Sequence, residues 1–133
     1  MNTDMKDRKV LLSMLWIFVM FNMIYGDILT FMVPEFLEGI MAGYAGGGEQ
    51  ITQGGLLVGA IIAEIPIAMV LLSRVLKYRA NRWANIIAGA IKIVLVWAGV
   101  PNPPLHYIFF AAIETVAMLL IIWYAWKWPN PEA

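Results

Sequence analysis

Four long apolar runs, roughly Val10 to Val33, Gly54 to Leu76, Trp83 to Val100 and Leu105 to Trp126, occupy most of this 133-residue chain. About 20 apolar residues wound as a helix match the ~30 Å hydrocarbon layer of a bilayer. Lipid offers no partner to backbone N–H and C=O groups, so a run of this kind has to be helical. The pattern predicts an all-α fold, a four-helix transmembrane bundle over residues 10–33, 54–76, 83–100 and 105–126. Residues 1–133 then form a single transmembrane domain, because four spans leave no length for a separate soluble one. Composition agrees, with 62% of residues apolar and 14% charged, against roughly half and a quarter in soluble domains.

The first run is too long for a signal-peptide core and no small-residue cleavage site follows it, so it is expected to remain as a helix. The connection over 34–53 is the one long loop, placed outside the cytoplasm. It carries the flexible Gly46-Gly47-Gly48, and Phe36, Leu37, Ile40 and Met41 at spacings that suit a short interfacial helix. Pro101-Asn102-Pro103-Pro104 breaks the chain between the last two spans. Asn81 is the expected N-cap of the third helix.

Orientation follows from the basic residues. Lys6, Arg8 and Lys9 precede the first span, Arg74, Lys77, Arg79 and Arg82 lie between the second and third, and Lys127 follows the fourth. The other two loops have none, which places both termini in the cytoplasm. Trp83, Trp123, Tyr124, Trp126 and Trp128 gather at the same side, where indoles favour the headgroup layer.

Four ionisable residues fall inside the spans: Asp27, Glu64, Lys92 and Glu114. Each costs roughly 2.5–3.5 kcal/mol if it faces lipid alone, so each is expected to point inward. At ~1.5 Å per residue, Glu64, Lys92 and Glu114 all lie ~15 Å deep, which predicts a midplane Glu-Lys-Glu layer. Asp27 falls nearer the outer boundary, with Asn22 and Tyr25 lining the mouth of the same site. Small residues beside these charges, including Gly55, Gly59 and Ala63 on the second span and Gly89 on the third, are expected to let helices approach closely. Pro66 frees a backbone carbonyl close to Glu64 and has the means to shape a cavity there. Two readings of the charged layer stand side by side. It fixes helix order as a structural device, or one carboxylate loads and releases a proton or cation while Lys92 tunes its affinity.

Other chemistry finds little support. The chain has no Cys and one His, His106, without neighbours to complete a metal site. Ser13 and Ser73 lie far along the helix axis from that base, so no covalent catalysis is expected and the protein is not read as an enzyme. A quinone-binding redox role would need a ring-sized cavity beside Lys92. No cofactor, metal or nucleic-acid partner is expected.

Several segments together resemble an uncharacterised family of small prokaryotic four-helix membrane proteins, distantly similar in layout to the DoxX-like proteins. They are Asn22-Met-Ile-Tyr-Gly-Asp27-Ile-Leu, Glu64-Ile-Pro-Ile-Ala-Met-Val-Leu-Leu-Ser-Arg74, Asn81-Arg-Trp-Ala-Asn85-Ile and Trp123-Tyr-Ala-Trp-Lys-Trp128. The resemblance implies a multi-pass protein of a prokaryotic plasma membrane and brings no activity with it. The resulting expectation is a proton- or cation-linked carrier or channel, homo-oligomeric or joined to a membrane-complex partner. The alternative is a non-catalytic accessory or scaffold subunit.

Overall fold

The computed structural model describes residues 3–46, 48–99 and 101–130. Among them the chain is all-helical, with five helices rather than four: α1 Thr3–Phe31, α2 Pro34–Met41, α3 Gln53–Val75, α4 Tyr78–Ala98 and α5 Leu105–Trp126. The additional helix, α2, is the short segment foreseen inside the long loop. Pro34 starts it at a position where a missing N–H costs nothing. Thr52 caps α3, its hydroxyl oxygen accepting from the Gly55 N–H at 3.0 Å.

Three helices are long and apolar enough to cross a membrane, namely α1 over Met5–Phe31, α3 and α5. The expectation of four is corrected at α4. That helix begins at Tyr78 instead of Trp83, and Arg79, Asn81, Arg82, Asn85 and Lys92 lower its hydropathy. Asn81 is also not its N-cap, a place taken by Lys77 in an extended conformation. Asn81 instead lies inside α4, fully buried, and its amide donates to the carbonyls of Ser73 at 2.8 Å and Leu76 at 3.3 Å. It closes the C-terminal end of the preceding helix, because the connection from Val75 to Tyr78 is too short to carry α4's first turn away from it.

α1 runs through the centre and packs on α3 and α5, while α4 packs along α5 and more briefly on α3. Leu12, Trp16 and Val19 of α1 meet Met69 of α3, Ala88 of α4 and Met118 and Ile121 of α5 in one buried cluster. Gly89 makes the α4–α5 approach possible, since a Cβ there would stand 2.9 Å from Ile122 Cγ1. The Gly55, Gly59 and Ala63 ladder does not pack inside the molecule. All three are exposed, and a Cβ at Gly59 would meet nothing within 4 Å.

The basic residues do more than mark an end of the molecule. Arg8 donates to the Tyr124 carbonyl at 2.8 Å, and Arg82 donates to those of Ala125 at 3.1 Å and Trp126 at 3.2 Å. Both therefore add donors to carbonyls of the last turn of α5. Trp128, expected in the headgroup layer, is buried, with its carbonyl accepting from the Tyr78 hydroxyl at 2.8 Å.

Candidate functional site

The site is built where α1 ends, α4 ends and α5 begins. On α4, Lys92, Leu95, Val96 and Gly99 follow one another at helical spacing; on α5, Tyr107, Phe110 and Glu114 do the same. These two stripes face Met23, Gly26 and Asp27 of α1 and Ile62 of α3 across a cavity of about 270 Å³. The Tyr107 hydroxyl donates to the Val96 carbonyl at 2.6 Å and ties α5 to α4 at the rim. Nearby, the Thr30 hydroxyl donates to the Gly26 carbonyl at 2.8 Å and lies 3.0 Å from His106 Nε2. In that contact the hydroxyl and the ring nitrogen take donor and acceptor roles according to the His106 tautomer.

Lys92 and Glu114 are each 4% exposed. Among the described residues, neither side chain makes a hydrogen bond or a close ion pair. No buried side-chain nitrogen or oxygen lacks a partner, so what accessibility the two residues keep is at their charged ends, toward the cavity they line. Lys92 feels the charge of Glu114 first and of Asp27 second. Asp27 is exposed and forms the mouth.

The three-charge group is thus Asp27, Lys92 and Glu114, not Glu64, Lys92 and Glu114. Glu64 is exposed and does not line the cavity. The inward stripe of α3 is Ile62, Ile65, Pro66, Met69 and Ser73. At about 100° per residue, Glu64 stands roughly 200° round the helix from Ile62. Depth counting places these residues along the axis and says nothing of rotation about it. Asn22 and Tyr25 do not line the mouth either: Asn22 donates to the Phe18 carbonyl at 2.9 Å, and Tyr25 is exposed. Gly89 is buried where α4 meets Ile122 of α5. Pro66 leaves the Ile62 carbonyl without its usual helical N–H partner, and Ile62 is the cavity's one contribution from α3.

Tyr107 and Phe110 were not singled out from the sequence, although their spacing to Glu114 repeats the i, i+3, i+7 pattern that marks one helix face. About two turns from Lys92 along α4, Asn85 centres a buried polar knot. Trp16 Nε1 donates to Asn85 Oδ1 at 2.7 Å, Ser73 Oγ donates to the same oxygen at 3.2 Å, and the Asn85 amide donates to Asn81 Oδ1 at 2.7 Å. Among the described residues no group of three His, Cys, Asp or Glu side chains gathers.

The fold and this cavity define a small all-helical protein with helices able to cross a membrane and charged side chains around an internal pocket. The chain belongs to the family of unknown function DUF6326, whose model matches residues 2–133. No curated protein and no solved structure matches it. The family bears out the resemblance to an uncharacterised group and assigns no activity.

Proposed function

We propose that this protein is a multi-pass carrier of the prokaryotic plasma membrane, moving a small solute with a proton or cation through the Asp27, Lys92 and Glu114 cavity. One observation carries the reading. Two opposite charges, each 4% exposed, face a cavity with no hydrogen-bonding partner among the described residues. Removing each ion from water costs several kcal/mol, and a structural pair would recover that cost by direct contact. Here the two charges act on each other without direct contact and keep their ends open to the cavity. The cavity opens beside exposed Asp27 and holds the buried Lys92 and Glu114, an arrangement that suits a carrier that binds and releases.

In this reading α4 spans the bilayer with the three more apolar helices, its charges turned to α5, and the termini lie in the cytoplasm by the distribution of Lys and Arg. Proton flux into proteoliposomes is the direct test. Glu114→Gln abolishes a flux that Glu64→Gln leaves intact; equal loss in both, or flux in neither the parent nor any variant, overturns the proposal.

A scaffold role is the second reading, favoured by the outer half of α3. From Gln53 to Glu64 only Ile62 is partly covered. A lipid-facing Glu64 costs roughly 2.5–3.5 kcal/mol, which a second copy or a partner helix seated on Gly55, Gly59 and Ala63 would relieve. In that case Glu64→Gln changes association and not flux.

A further inference from the structure

We infer that the cavity takes a small neutral zwitterion, a molecule carrying one amine and one carboxylate on a short apolar body. The inference rests on the carrier reading and names its solute class. Among the described residues Lys92 and Glu114 are the buried ionisable pair of the cavity, one cationic and one anionic. An amine alone would answer Glu114 and leave the Lys92 ammonium unpartnered and repelled. A carboxylate alone would do the reverse. A molecule with both ends satisfies both buried groups, as charge-assisted hydrogen bonds that are stronger than neutral ones. Asp27, exposed at the mouth, acts on both of them and adds a carboxylate that draws the positively charged end of such a molecule.

The walls say what lies between the two charges. Met23, Ile62, Leu95, Val96 and Phe110 are apolar and offer no side-chain hydrogen bond, and the Tyr107 hydroxyl already spends its proton on Val96. The body of the solute is therefore largely apolar, since the side chains of these walls reward no hydroxyl or amide for the water it loses. Pockets for drug-sized ligands run to about 300–1,000 Å³. At about 270 Å³ this one takes something smaller.

The test titrates the purified full-length protein in detergent by calorimetry with alanine, 4-aminobutyrate and 6-aminohexanoate, zwitterions of increasing charge separation. Butylamine and butyrate serve as the single-charge controls. At least one zwitterion is expected to bind about tenfold or more tightly than both controls. Glu114→Gln and Lys92→Gln each remove that preference, and Asp27→Asn weakens binding by a smaller factor. Should either buried variant fail to fold, Ile62→Phe fills the cavity from a half-buried position on α3 without touching a charge, and it too must abolish binding. Butylamine binding as tightly as the zwitterions overturns the inference while the carrier reading survives as a cation site. No binding by any probe, with the Glu114-dependent proton flux present, overturns the inference alone; no binding together with no such flux ends both.

Discussion

Trp16 and Asn85, 69 positions apart in sequence, meet through a 2.7 Å hydrogen bond from the indole Nε1 to the amide oxygen, both residues fully buried. That oxygen also accepts from Ser73, and the Asn85 amide donates to the Asn81 carbonyl and side-chain oxygens. One side chain thus joins α1, α3 and α4. Asn85→Leu strands the Trp16 and Ser73 donors and one Asn81 acceptor in a dry interior, at about 1–3 kcal/mol for each unmet group. Trp16→Phe leaves Ser73 on the oxygen and is expected to cost less through hydrogen bonding. Unfolding titrations in SDS should rank Asn85→Leu below Asn85→Gln, and an equal midpoint for the two would refute the network's role.

Two glycines should respond in opposite directions. Gly89→Ala pushes its Cβ to 2.9 Å from Ile122 Cγ1 and destabilises the α4–α5 contact. Ile122→Ala in the same chain should restore most of the loss, a coupling that a double-mutant cycle reads. Gly59→Ala meets open space and should stabilise the monomer by roughly 0.5–1 kcal/mol through helix propensity. Loss of self-association in cross-linking or sedimentation with that same substitution would identify the α3 ladder as a contact between copies.

Arg82 holds the end of α5 with two different nitrogens, Nε to Ala125 and Nη2 to Trp126, and its guanidinium lies 5.1 Å from the Trp126 ring centroid. A lysine presents one ammonium and lacks the planar fork. Arg82→Lys should therefore fray the end of α5, cost about 1 kcal/mol and speed proteolysis after Trp126. An unchanged cleavage rate would show that the tail is held by Tyr78 and Trp128 instead.

Thr30 and His106 join α1 to α5 beside the cavity. Thr30→Val and His106→Ala should each cost about 1 kcal/mol, and the double variant little more than either single one, because they remove the same bond. Additive losses would place the two residues in separate interactions.

The apolar runs were readable as helices because hydropathy over about 20 residues needs no partner to interpret. The fourth span matches α5 at both ends, since Pro101 to Pro104 and Lys127 bound it sharply. The third was placed late: Tyr78 to Arg82 is polar enough to look like a loop, yet Asn81 and Tyr78 are held by Ser73, Leu76 and Trp128. Lys92 and Glu114 were legible as a site because their neighbours Ala88, Gly89, Ala111 and Ala117 are small and, as it turns out, buried. Glu64 had small neighbours too, Ala60 and Ala68, yet Ala60 is exposed and Ala68 only half-buried. Small residues mark a place where a helix surface is able to pack, without saying against which molecule.

By itself the sequence determined which segments are helical and where charges occur along their axes, because backbone satisfaction in an apolar medium and the rise of a helix depend only on the segment. The tertiary structure alone decided rotation: that Asp27 turns to Lys92 and Glu114 while Glu64 turns away, and that Asn81 serves the helix before its own. In a soluble helix a polar face announces the outside. In a span that is apolar all round, inner and outer faces have the same composition, so the direction of each charge is set by the neighbouring helix against which it packs.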